Sequence, residues 1–348
     1  MTEQKPWFSQ AHPGWWVLLA FLIIYPWISS NFFTYQIGGY TLILGMIALS
    51  LMILAGYGGM VSLAQITVAG FAAYALPIFG SNSVGVLGLG WPVWVLYPFA
   101  ILTAALFSTL VGLISVRTEG IYTIMITLAI AVSFFFFALQ NYALFNGFQG
   151  FSGVDAPTFW GIYWRDPTPF YYLCLACAVF FFCATLYGAR STFGLTLQAI
   201  RDNPRRMSAL GYNVIAHRVY AFFLAGIVAG TAGVLLVLFN GRVSPGTVGV
   251  DIAIDILVIA VVGGLRHPIG PFLGALAFVL LENFAIDLID RERFNTVIGM
   301  AFLLVVFFSP DGLYGLWQKA AAKLRRRDIH GAKPTAESQH EQSQADLA

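Results

Sequence analysis

The chain alternates long apolar runs with short polar breaks. Spanning a bilayer core takes about 20 mostly apolar residues. Ten runs approach that length: 15–30, 39–57, 60–79, 92–115, 121–140, 170–187, 218–240, 251–265, 269–289 and 295–309. Two of them depart from the pattern. The 60–79 run follows Gly56, Gly58 and Gly59 with almost no loop and carries Ser62, Gln65 and Thr67. The 251–265 run is short and is interrupted by Gly263-Gly264. Short, glycine-broken segments can line a pathway with backbone groups. Close packing of helices through small residues is the alternative. The expected architecture is an all-α polytopic membrane protein of about ten transmembrane or re-entrant helices.

Composition agrees. Apolar residues make up 59% of the chain and charged residues 10%, with a mean hydropathy of +0.78. A soluble domain carries about 25% charged residues. The net charge of only +2 says nothing of nucleic acid, and no nucleic-acid partner is expected. Only Lys5 precedes the first run, and no small-x-small cleavage site follows it, so that run reads as a retained span. The placement of basic residues orients the chain. With the N-terminus in the cytoplasm and ten crossings, Arg165, Arg242, Arg291 and Arg293 fall outside, and the rest of the 18 Lys and Arg fall inside. An eight-span count without the two irregular runs keeps both termini inside but moves Arg117 outside. The expected divisions are a cytoplasmic N-terminus (1–14), a membrane domain (15–317) and a basic, then disordered, cytoplasmic tail (318–348). Within the membrane domain, 141–169 reads as a structured outer loop, rich in glycine, proline and aromatics.

The stretch 188–218 does not fit an apolar chain. It carries Arg190, Arg201, Arg205, Arg206 and Arg218 against one acid, Asp202. Asn203-Pro204 ends a first short helix and starts a second, with Pro204 in the first turn. An amphipathic helix held by anionic lipid is one reading. The small residues Gly194, Ala199, Ala209 and Gly211, which allow another backbone to approach closely, favour docking to a partner.

Reactive chemistry is sparse. Cys174, Cys177 and Cys183 lie in one apolar run and read as packing residues. The five histidines show no ligand spacing, and glycine is never followed by lysine, so no phosphate-binding loop of the Walker type exists. Asp251 and Asp255 share one helix face, with Glu282 and Asp287 further on. An intramembrane acid suggests a proton relay. A helix-start role for Asp251 and local pairing for Asp255 is the plainer reading, because no second acid cluster is evident. Arg117 and Glu119 read as a local salt bridge at a span junction.

Several stretches resemble the permeases of branched-chain amino acid ABC transporters, the M-type subunit. They are GYGGMVSLAQITVAGFAAYA (56–75), RTEGIYTIMITLAIA (117–131), FNGFQGFSGV (145–154), AIRDNPRRMSALGYNV (199–214), DILVIAVVGGLRHPIGPFLGA (255–275) and FFSPDGLYGL (307–316). The resemblance covers about 38–317. It implies the pore subunit of an ATP-driven importer in the bacterial inner membrane, multi-pass with both termini cytoplasmic. Its implied partners are a second homologous permease, two cytoplasmic ATPases that carry ATP and magnesium, a periplasmic substrate-binding protein, and membrane lipid. No cofactor is expected in this chain, and it would not itself be an enzyme. Ala199, Ile200, Arg201, Asp202, Asn203, Ser208, Ala209, Leu210 and Gly211 correspond to the ATPase-coupling segment. The family commonly has glutamate where this chain has Ser208. It commonly has Gly-His or Gly-Gln where this chain has Ala64-Gln65, and Thr-Gly-Gly at the Phe145-Asn146-Gly147 turn. Ser62, Gln65 and Asn146 are the polar candidates along the pathway. Branched-chain or hydrophobic amino acids are the implied solutes, with urea, short amides or aromatic acids moved by similar relatives. An ion-coupled secondary transporter is the alternative from another class.

Overall fold

The structure, a computed structural model, describes residues 13–81, 88–118, 120–154, 156, 158–159, 162–288, 299–300 and 312–315. Most of the expected span at 295–309, the tail from 318, and Glu119 lie outside the described residues, as does most of the N-terminal segment.

Within lipid each backbone N–H and C=O must find a partner inside the chain, so the apolar runs become helices. In chain order these are α1 (Pro13–Ile28), α2 (Phe33–Tyr57), α3 (Gln65–Phe79), α4 (Val93–Ser115) and α5 (Ile121–Gln140). A short turn of helix, α6 (Tyr142–Phe145), leads to the strands β1 (Phe151–Ser152), β2 (Thr158–Phe159) and β3 (Ile162–Tyr163). Then follow α7 (Pro167–Arg190), α8 (Thr192–Asp202), α9 (Pro204–Ala209) and α10 (Val214–Asn240). The chain continues through β4 (Arg242–Val243), α11 (Val250–Gly263) and α12 (Ile269–Leu288). Among the described residues, α2, α4, α5, α7, α10 and the Pro245–Gly263 stretch ending in α11 are long and apolar enough to cross a membrane.

The two irregular runs of the sequence are irregular here as well. The 60–79 run is not a full span: Met60–Ala64 is not helical, and α3 begins at Gln65. The 251–265 run is entered through a tight turn at Pro245–Val248. That turn reaches into the bundle, because a Cβ on Gly70 would collide with the Val248 side chain. The run expected at 39–57 starts six residues earlier, at Phe33, and widens into π-type turns at Phe33–Gly39 and Ile53–Tyr57.

α2 is the axis of the molecule. Ile43, Met46, Ile47, Leu49 and Leu51 are buried, with α3, α7, α10, α11 and α12 around them. α4 shows how the outer helices are built. Leu102, Leu106, Leu110 and Leu113 are exposed on one face, and Ala100, Ala104, Ala105, Ser108 and Gly112 are buried on the other. Bulk faces lipid and small residues face protein, since lipid offers no hydrophobic gain for burying leucine. α10 uses the same device. Gly226 lies against Ser108, Gly230 against Ala104, and Gly233 against the Ala69 backbone. At the end of the bundle where α10 finishes, β1 pairs antiparallel with β4, Phe151 opposite Val243. The described part of 141–163 thus forms a cap at that end.

The Gly233 crossing provides a test. Gly233→Ala places a methyl group against the Ala69 carbonyl, which is backbone and cannot swing away. Thermal unfolding of the purified chain is expected to show a loss of about 1–3 kcal/mol. Gly188→Ala, which meets nothing within 4 Å, is expected to be neutral.

Candidate functional site

The 188–218 stretch folds as two short helices in sequence, each started by its own cap. Ser191 accepts the Gly194 amide at 3.2 Å and starts α8. Asn203 leaves the helical region (φ −155°), and its Oδ1 accepts the Arg206 amide at 2.9 Å, with Pro204 at the first position of α9. Gly211 turns the chain with φ +90°, a conformation that favours glycine. Asn213 then accepts the Ala216 amide at 3.0 Å and starts α10.

The two helices have opposite characters. α8 is anchored: Gly194, Leu197 and Ile200 are buried, and Ala199 is half-buried. Leu197 enters a cluster with Leu54, Met60, Ala64, Val111 and Phe222. Gln198 donates to the Ala189 carbonyl at 2.9 Å, and Phe193 stacks on His217 at 5.7 Å. α9 buries nothing. Arg205, Arg206, Ser208, Ala209 and Leu210 are all exposed, and Gly211, Tyr212 and Ile215 continue the exposed surface. Arg218, grouped with the basic surface on sequence grounds, is instead buried in α10.

Arg201 faces inward rather than away from the bundle. Its Nη1 donates to the carbonyl of Gly56 at the end of α2, while Nε and Nη2 both contact Asp202 Oδ1 at 2.9 Å. Its side-chain stem covers Gly59, which has φ +68° and where a Cβ would lie 2.6 Å from Arg201 Cγ. Gly56 also lies against the Leu265 carbonyl in the turn between α11 and α12, leaving no room for a side chain. In that turn His267 stacks on Tyr314 at 4.5 Å. Burial, and secondarily the Arg190 charge, lower the His267 pKa. The neutral ring accepts the Ile269 amide through Nδ1 at 3.3 Å.

The glycine turn leads directly to a buried polar node. Ser62, Gln65, Ser50 and Thr127 are all buried. The Ser50 hydroxyl lies 2.6 Å from the Ile47 carbonyl and 3.0 Å from Gln65 Oε1, sharing one proton between two acceptors, and Gln65 Nε2 reaches Ser62 at 3.5 Å. The Leu63 amide donates to Thr127 at 3.1 Å. The node lies inside the bundle: Ala69 packs on Gly233, and Gln65 is one helical turn further in. Along α3, the hydroxyls of Thr67 and Tyr74 are buried without a hydrogen-bond partner among the described residues. The structure thus joins Ser62 and Gln65 but not Asn146. Asn146 holds a tight turn in the 141–163 cap, with φ +57° and its amide donating to the Gly150 carbonyl at 2.6 Å.

The carboxylates differ from the sequence reading in one respect. Asp251 is exposed in the first turn of α11, where a negative charge complements the helix dipole. Glu282 of α12, however, is within electrostatic reach of Asp255 and Tyr40. Two adjacent helices therefore bring acids together that lie far apart in the chain. Cys174, Cys177 and Cys183 are free thiols, and among the described residues no group of His, Cys, Asp and Glu could hold a metal ion.

A central helix surrounded by further long apolar helices and by the shorter α3 and α11, with an anchored and an exposed helix at one end, defines a polytopic α-helical membrane protein. Residues 34–307 match the family described as branched-chain amino acid transport system / permease component. The chain belongs to this family, and it is an ABC-transporter permease. It is 24% identical over 319 residues to the high-affinity branched-chain amino acid permease LivM of Escherichia coli, covering 85% of this chain and 73% of that protein. It is 27% identical over 319 residues to the probable branched-chain amino acid permease LivH of Methanocaldococcus jannaschii, covering 87% and 90%. The nucleoside ABC transporter permease NupC of Lactococcus lactis is 26% identical over 241 residues, covering 66% and 74%. No solved structure matches the chain.

The cap of α9 can be measured. Asn203→Ala removes the acceptor for the Arg206 amide and is expected to cost about 1 kcal/mol locally. Hydrogen exchange of the 205–210 amides should quicken, while the α8 amides should not change. Unchanged exchange at 205–210 would contradict the assignment.

Proposed function

We propose that the chain is the pore subunit of an ATP-driven importer for branched-chain or other hydrophobic amino acids. It would work in the bacterial inner membrane with both termini in the cytoplasm. A second homologous permease completes the pore, two ATPases supply ATP and magnesium chemistry at the α8–α9 end, and a binding protein delivers solute at the other. The observation that carries this reading is the division of labour between α8 and α9. A helix that buries nothing, joined by one capped turn to a helix braced on three sides, is built to receive a push and pass it on.

The route of that push is specific. α9 meets the ATPase. α8 moves with it, and Arg201 carries the displacement to the Gly56–Gly59 turn. That turn leads through Leu63 to the Ser50–Ser62–Gln65 node and α3. Arg201 thus acts as a transmission residue, while Ser208, Ala209 and Leu210 form the contact itself. A solute passing the node meets few polar groups, and weak binding there favours release. The named relatives favour amino acids, with nucleosides, urea, short amides and aromatic acids as other candidates within the same reading.

Ion-coupled transport is the second reading, favoured by the grouping of Asp255 with Glu282. Uptake in reconstituted vesicles separates the two. ATP-driven transport should persist after a protonophore collapses the proton gradient and stop when ATP is omitted; the reverse result would establish ion coupling. In the same system, Arg201→Ala is expected to retain the bound ATPase and its turnover. Uptake should fall about tenfold, the scale of one lost charge-assisted hydrogen bond. Full uptake in that variant would remove Arg201 from the route.

A further inference from the structure

The end of the bundle opposite α8–α9 holds an open cavity of about 480 Å³ that the route above does not use. Asn31, Tyr35 and Gln36 line it from the start of α2, Tyr163 and Arg165 from the approach to α7, and Phe239 from the end of α10. Its parts are fixed in place. Tyr35 donates its hydroxyl to the Phe239 carbonyl at 2.8 Å and stacks on the Phe239 ring at 4.6 Å. Phe239 also stacks on Tyr40 at 5.4 Å. The Arg165 guanidinium packs over Gly241, where a Cβ would lie 2.5 Å from Nη2, so only glycine admits it.

Among the described residues no carboxylate pairs with Arg165. Among the described residues its electrostatic partners are the hydroxyls of Tyr35 and Tyr163, both uncharged. Asp166, next in the chain, occupies the N-cap position of α7 and is not among those partners. A half-buried guanidinium held by neutral groups beside an open cavity offers N–H donors to an anion. Its planar fork matches a carboxylate in two parallel hydrogen bonds.

We propose that this cavity binds the carboxylate of a small organic acid that carries an apolar side chain. Arg165 grips the carboxylate, and the Tyr35 and Phe239 rings receive the side chain. The side-chain oxygens of Asn31 and Gln36 accept from an ammonium group where the acid is an amino acid. The proposal rests on the reading of this chain as a solute importer and narrows the substrate class. It favours carboxylate-bearing solutes over urea, simple amides and nucleosides, none of which offers an anion. An open cavity suits brief occupancy by a solute that is to be passed on.

The test labels the native arginine, so it requires no variant to fold. The full chain, in its assembly in lipid nanodiscs, is treated with the arginine reagent phenylglyoxal, and modification of Arg165 is followed by peptide mass spectrometry. L-leucine is expected to slow modification of Arg165 several-fold, while L-leucinamide and urea leave it unchanged. Arg242, exposed on β4, serves as the internal control and should label at one rate throughout. Equal protection by L-leucine and L-leucinamide, or protection by neither, would overturn the proposal. Selective protection in an assembly without ATP-driven uptake would support the site and count against the importer reading alone.

Discussion

The structure depends on one constraint: backbone groups away from water must be satisfied by the chain itself. Helices meet it automatically, but among the described residues the stretches 58–64 and 241–249 leave the helix and still bury side chains such as Met60, Leu63, Val243 and Val248. Each break is closed by specific contacts. At the first, the Met60 amide donates to the Leu54 carbonyl at 3.0 Å and the Leu63 amide to Thr127. Arg201 takes the Gly56 carbonyl. At the second, β4 pairs with β1, and the Val154 amide donates to the Gly241 carbonyl at 3.2 Å. Where a helix resists bending over its full ladder of bonds, a break of this kind has only a few bonds to rearrange. The breaks are therefore the places where a bundle of rigid rods can change shape.

The same constraint explains why glycine and charge meet at one end. The Gly56 carbonyl needs a donor because the widened last turn of α2 withholds one. An arginine supplies several, and Gly59 has no side chain to obstruct its stem. α8 is thereby attached to the part of the molecule that is least held by its own backbone. A surface helix anchored to the middle of α2 would meet an unbroken ladder, and its movement would be spent in bending a helix.

Much of this was legible in the sequence. The Asn203-Pro204 break and the two irregular runs follow from local chemistry, because caps, proline and glycine act within a few residues. What was not legible depends on contacts across the chain. Arg201 reads as one of several surface arginines until the fold sets it 145 residues from its partner, Gly56. Arg218 is buried for the same reason. Glu282 comes within electrostatic reach of Asp255 because α11 and α12 cross through Gly263, Gly270 and Gly274. Glycine spacing hinted at that crossing, but not at the register that sets the acids level. Asn146 looked like a pathway residue by its place in a motif, yet its amide is engaged by the Gly150 carbonyl, a use that only the turn geometry reveals.

The polar groups are distributed unevenly along the bundle, and this bears on selectivity. Ser50, Ser62 and Gln65 at the inner node largely satisfy one another. All three are fully buried, so their polar groups face one another and the chain rather than open space. The Arg165 cavity is the opposite case, with a charged donor set among neutral neighbours and open space beside it. A full charge discriminates strongly between anion and neutral molecule, whereas neutral hydroxyls and amides discriminate weakly. If the chain imports solutes as proposed, chemical choice would belong at the open end of the bundle, where desolvating the solute costs least, and permissiveness at the buried node, where a tight fit would stop the solute from leaving.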